Sequence, residues 1–94
     1  MGPSPQEIQD AIKRLLVDDL QADSAVIAGA DLTTGLLGRG VGLDSVEALR
    51  LALGLERTFD IRIPDADLTA ALFATLGALT EYVHRKTRER EANP

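Results

Sequence analysis

Ile8, Ile12, Leu15, Leu16 and Leu20 follow one another at spacings of four, three, one and four, which lays them along one stripe of an α-helix. Asp10, Lys13, Arg14 and Asp18 take the opposite, solvated face. Ser4, Pro5 and Glu7 mark the start: a hydroxyl to cap, a proline at the first helical position and a glutamate placed to close a capping box. The pattern predicts a first helix over about Pro5 to Leu20, packed on one side. From Gln21 to Leu43 the periodicity lapses, and five glycines, scattered acids and the short apolar pairs Val26-Ile27 and Leu36-Leu37 predict a long loop. A connection of that length in a compact domain is functional or is held down by its own side chains. The expected tethers are Val26, Ile27, Leu32, Leu36 and Leu37.

Periodicity returns at Ser45 and predicts a helix to about Thr58. Advancing a hundred degrees per residue from Val46, Arg57, Arg50, Gly54 and Glu47 share a sector between about 20° and 100°. Ala48, Leu49, Leu51, Ala52 and Leu55 fill the opposite arc and are expected in the core. Val46 and Leu53 fall on the border, where a partner could reach them. Ile61 and Ile63 alternate with arginine in a short extended piece that Pro64-Asp65 ends. Asp65 or Asp67 can then cap a short third helix over Ala66 to Leu72, with Leu68, Leu72 and Phe73 closing the side of a pocket. A last helix from about Thr75 carries Leu76, Leu79, Tyr82 and Val83 on one face. Beyond His84 the sequence is charged and reads as a fraying helix end and tail. The expected architecture is all-α: a four-helix bundle with a long loop between the first two helices and a short third helix. It forms one domain over residues 1–94, with a packed core over about 5–84 and a charged tail over 85–94.

Ninety-four residues without cysteine exclude a disulfide framework or a thiolate metal site, so regular helix packing must supply the stability. The formal net charge of −5 sits mostly at the front: residues 1–44 hold seven acids and three bases, residues 45–68 five and three, residues 69–94 three and four. A nucleic-acid partner is not expected, since neutralising phosphates needs a basic face. No apolar run approaches a membrane span and no signal-peptide pattern opens the chain, so a cytoplasmic location is expected.

The stretch with candidate chemistry is Gly42-Leu43-Asp44-Ser45-Val46-Glu47. Asp44 suits an N-cap, and Glu47 three residues on completes a capping box. Ser45 then presents its hydroxyl at a positive helix end, where the macrodipole and unpaired N–H groups favour an esterified phosphate. Gly38-Arg39-Gly40-Val41-Gly42 is no nucleotide loop, because no strand precedes it and no Gly-Lys-Ser/Thr follows. It reads as a flexible approach to Ser45. The single histidine, His84, is far along the chain, and no nucleophile elbow, Ser-x-x-Lys or paired-histidine motif is present. No catalytic or metal-binding residue is expected, and the chain is not expected to be an enzyme.

Gly42-Leu43-Asp44-Ser45, the apolar helix ending Leu55-Glu56-Arg57-Thr58-Phe59-Asp60, then Ile61-Arg62-Ile63-Pro64-Asp65-Ala66-Asp67-Leu68 and Phe73 to Val83 together resemble the acyl carrier protein family. The resemblance runs from about Ile8 to Val83. It implies a carrier bundle in which a separate phosphopantetheinyl transferase attaches phosphopantetheine from coenzyme A to Ser45, beside the cap Asp44. The cofactor's thiol would hold acyl groups as thioesters for acyl-loading and acyl-processing enzymes of a fatty acid or polyketide-type pathway. By the same resemblance Val46 and Leu53 are expected to meet partners; Glu47, Arg50 and Arg57 beside them are expected in the same docking surface, and the carrier is expected to be a monomer. Arg50, Arg57 and Arg62 stand where many members look acidic, so partners docking by a basic patch are expected to bind less well. That departure and the glycine-rich loop favour a specialised pathway. Peptidyl or aminoacyl carriers usually show a Gly-Gly-x-Ser turn, so Gly-Leu-Asp-Ser favours acyl cargo. The remaining alternative is an unmodified helical interaction module.

Overall fold

The computed structural model describes residues 2–92. Met1, Asn93 and Pro94, the outer ends of the expected 1–94 domain and its tail, lie outside the described residues. The fold is all-α, as expected, with α1 (Pro5–Asp18), α2 (Ser24–Ala28), α3 (Ser45–Phe59) and α4 (Leu76–Ala92), and a 3-10 turn over Asp65–Asp67. α1 lies against each of the other three helices. Ile8, Ile12 and Leu16 of α1 meet Leu51 and Leu55 of α3, Leu76, Leu79 and Val83 of α4, and Leu36 of the loop in one buried cluster.

α1 begins as its sequence dictates. Ser4 Oγ accepts from the Glu7 amide at 3.1 Å, and Glu7 Oε1 accepts from the Ser4 amide at 2.9 Å. The helix ends at Asp18, two residues early, because the chain turns away through Gln21 in the left-handed region (φ 57°). Leu20 is buried all the same.

The segment expected as loop holds α2, one turn capped by Asp23, whose carboxylate accepts from the Ala25 amide at 2.9 Å. Five residues are too few for an amphipathic period to show. Of the expected tethers, Ile27 and Leu36 are buried and Leu37 is half-buried, whereas Val26 and Leu32 are exposed. Leu32 anchors the loop through its backbone instead. Its carbonyl accepts from the Gly77 amide at 2.8 Å, and the Thr34 carbonyl accepts from the Leu76 amide at 2.8 Å. Thr75 Oγ1 takes the Ala78 amide at 3.0 Å. The loop therefore caps α4, satisfying first-turn N–H groups that have no partner within the helix. Gly77 is required there, since a Cβ would stand 2.8 Å from the Leu32 carbonyl oxygen. Lys13 Nζ adds a bond of 2.8 Å to the Ala30 carbonyl.

Two faces of α3 differ from the periodicity. Leu49, expected in the core, is 47 % exposed, and Gly54, expected in the solvated sector, is buried. Without a side chain Gly54 lets α1 come close: a Cβ would lie 3.2 Å from Leu15 Cδ2. The buried arc turns toward α1 and away from Leu49.

After Pro64 the expected short helix to Leu72 is only a 3-10 turn over Asp65–Asp67 followed by turns. Neither aspartate caps it. The Asp67 carboxylate is taken by the Tyr82 hydroxyl, and Thr69 Oγ1 competes for the Leu72 amide at 3.4 Å, as such side chains do against a helical ladder. At the other end, α4 runs through the segment expected as a fraying tail. Thr87 is buried with its hydroxyl donating to the His84 carbonyl, and Arg90 grips Asp60 Oδ2 from Nη2 at 2.9 Å and Nε at 3.2 Å.

Candidate functional site

The glycine-rich approach to Ser45 is a hydrogen-bonded fold-back, not the flexible lead-in expected. The Val41 amide donates to the Gly35 carbonyl at 3.0 Å and the Leu43 amide to the Leu36 carbonyl at 2.9 Å. Gly40 sits at φ +96°, where a Cβ would be driven to within 2.3 Å of the Gly35 oxygen, so any other residue would open the turn. Leu43 is buried. The residue immediately before the cap is thereby fixed to the core.

Asp44 follows in extended backbone (φ −90°, ψ 179°) as the N-cap of α3. Its Oδ1 accepts from the Glu47 amide at 2.8 Å, and Glu47 Oε1 accepts from the Asp44 amide at 3.1 Å. Both halves of the capping box are present. Ser45 is the first residue of a fifteen-residue helix and is exposed. Its own amide and that of Val46 have no intrahelical acceptor, so the hydroxyl stands at the positive end of the helix beside free donors.

Beside Ser45 opens an apolar recess of about 260 Å³, lined by Leu37, Ala48, Leu49, Leu68, Thr69, Ala70 and Phe73. Leu68 and Phe73 were expected on the wall of such a pocket. Leu72, expected with them, is buried and lines a depression on the α4 side instead, while Leu37, Ala48, Leu49, Thr69 and Ala70 line the recess without being expected there. Only Leu49 carried a usable signal, as an apolar residue one helical turn from Ser45.

Of the residues expected to meet partners, Val46 is 66 % exposed and Leu53 47 %. With Leu49 between them they form a stripe of exposed apolar side chains along α3. Glu47 is engaged in the capping box, and Arg50 Nη2 donates to the Asp19 carbonyl at 3.0 Å, closing the C-terminal end of α1. Arg57 is exposed at the rim of two open depressions that share Leu53, one also lined by Asp18, Asp19 and Arg50, the other by Glu56, Asp60, Ile61 and Arg62. The charge around Leu53 is therefore mixed. Glu56 Oε2 accepts from the Ile63 amide at 2.8 Å and holds the extended return, a role the sequence did not signal.

Among the described residues no group of histidines and carboxylates could hold a metal ion, and no helix is long and apolar enough to cross a membrane. An exposed hydroxyl at a capped helix start, beside an apolar recess, fits a covalently attached phosphate ester with an organic arm. Residues 10–83 match the family described as "Phosphopantetheine attachment site". The chain is 33 % identical over 75 residues to the acyl carrier protein of Amoebophilus asiaticus, covering 79 % of this chain and 91 % of that one. It is 32 % identical over 60 residues to the acyl carrier protein of Campylobacter lari, covering 64 % and 73 %.

Proposed function

The chain belongs to the acyl carrier protein family, and on that premise we propose that Ser45 is its attachment serine and that the carried groups are acyl groups. As a member it bears phosphopantetheine covalently, is a carrier and not an enzyme, and works with an activating transferase and with biosynthetic enzymes. The observation that supports Ser45 is its place: an exposed hydroxyl at the first position of α3, held there by the Asp44–Glu47 box and the buried Leu43. In the modification the Ser45 oxygen forms the new bond to phosphorus, the nucleotide part of coenzyme A leaves, and the hydroxyl proton passes to the transferase. Bound there, the group supplies a terminal thiol that takes acyl cargo as a thioester. The chain's own residues hold the serine, leave the Ser45 and Val46 amides without an intrahelical acceptor, so that they could donate to a phosphate there, and offer the apolar recess alongside.

The pathway we favour is fatty acid or polyketide-type synthesis, with residues 1–94 forming one carrier domain that acts as a monomer in the cytoplasm. The Gly42-Leu43-Asp44-Ser45 turn supports acyl over aminoacyl cargo, and the apolar lining of the recess agrees. Val46, Leu53 and Arg57 form the docking face; Glu47 and Arg50 serve it by fixing the helix that carries it. With a fluorescent coenzyme A derivative, magnesium and a broad-specificity transferase, the wild type takes up label and Ser45→Ala does not. Label on both proteins would move the site elsewhere. For the docking face, Val46→Asp should raise the transferase KM about tenfold, the loss of one central apolar contact, at unchanged melting temperature. An unchanged KM would remove Val46 from it.

A further inference from the structure

From the segment 65–74, Leu68, Thr69, Ala70 and Phe73 form the wall of the recess that faces α3, and among the described residues the backbone hydrogen bonds this segment donates are local. Asp67 donates to Pro64, Leu68 to Asp65, Thr69 to Asp67, Leu72 to Thr69 and Ala74 to Ala71. Thr69, Ala70 and Ala71 are exposed. Behind the same residues a second depression of about 430 Å³ opens toward α4, lined among others by Asp67, Thr69, Ala71, Leu72, Tyr82 and Arg85. Depressions thus flank the stretch Asp67 to Ala71 on both sides, while Leu72 and Phe73 anchor its far end in the core, and among the described residues no backbone ladder joins the wall to a helix.

Among the described residues, its polar attachment to the bundle is one cluster. Tyr82, on α4, donates its hydroxyl to Asp67 Oδ2 at 2.6 Å. Lys86 Nζ stands 4.0 Å from the same oxygen. Arg85 and Lys86 lie over the Tyr82 ring at 5.7 and 5.6 Å from its centre, so the ring is pinned by cations while its hydroxyl points at the wall. Burial first, then the Asp67 carboxylate, push the Tyr82 phenol well above the ordinary tyrosine range, which keeps it a donor.

We propose that Asp67 and Tyr82 form a clasp that sets the position of this wall, and with it the size of apolar group the recess beside Ser45 admits. Tyr82 and Asp67 are thus positioning residues: neither touches Ser45 or lines the recess, yet they fix where Leu68, Thr69 and Ala70 stand. The consequence for cargo rests on the carrier reading above; the mechanical part does not.

Tyr82→Phe keeps the ring and its cation contacts and removes only the hydroxyl. In the unmodified protein, amide exchange of Leu68, Thr69 and Leu72 should quicken by about tenfold or more, the loss of one charge-assisted hydrogen bond expressed as local opening. The amides of α1 and α3 should keep their wild-type rates. Asp67→Asn, which retains an acceptor, should fall between. Equal quickening across all helices would make Tyr82 an ordinary core residue, and unchanged exchange of the wall would remove the clasp; either result overturns the proposal. With butanoyl and decanoyl groups loaded by the transferase, the ratio of their thioester hydrolysis rates should shift at least threefold toward protection of the longer chain in Tyr82→Phe. A ratio equal to that of the wild type would overturn the cargo consequence, while the exchange result stands whether or not Ser45 is modified.

Discussion

Ser45 owes its position to neighbours that do no chemistry. Asp44 fixes the first turn of α3, Glu47 returns the bond, and Leu43 ties the approach to the core. Removing the cap should therefore disturb stability and function together. Asp44→Ala should cost about 1 kcal/mol of stability, lowering the midpoint by roughly 4–8 °C in a domain of this size. Asp44→Asn should retain most of it, because asparagine caps comparably. Thermal unfolding of the two variants checks the contrast; equal losses would place the contribution of Asp44 in its charge. Ser45 itself, exposed and without a side-chain bond in the structure, should tolerate alanine with no measurable change in midpoint.

Among the elements, α1 and the capping signals of Ser4-Pro5-Glu7 and Asp44-Glu47 were legible because they are local: a short window of sequence holds both partners of each bond. What was not legible depends on partners far along the chain. The start of α4 is capped by carbonyls of Leu32 and Thr34, forty-odd residues earlier, and the burial of Gly54 depends on Leu15. The angle of Leu49 alone points to the core, whereas α1 approaches from the Gly54 side and leaves it beside Ser45. In place of the short helix after Pro64, the Asp67 carboxylate is held by Tyr82 and the Thr69 hydroxyl takes the Leu72 amide locally. The loop-to-α4 contact gives a direct test. Gly77→Ala must displace the Leu32 carbonyl, 2.8 Å from the new methyl carbon, and should destabilise by about 1–3 kcal/mol as overpacking does. The Leu76 and position-77 amides should lose their exchange protection in the same variant. Retained protection would show that the loop yields without releasing the helix.

At the scale of the molecule, a lean aliphatic core with no disulfide supports a body of 37 × 25 × 21 Å. Ser45 is displayed on its surface between an apolar stripe and an apolar recess. That layout suits an object which partners grasp and which holds its cargo loosely. The net charge of −5 is spread unevenly, and the face around Leu53 mixes arginines with aspartates, so it offers apolar contact beside charge of both signs. Attachment at Ser45 is read most directly from the intact mass of the protein after incubation with coenzyme A, magnesium and a broad-specificity phosphopantetheinyl transferase, followed by fragmentation to locate the group. The expected result is the gain of one phosphopantetheine, borne by Ser45 and absent from Ser45→Ala. No gain with several transferases, or a gain that persists in Ser45→Ala, would contradict it.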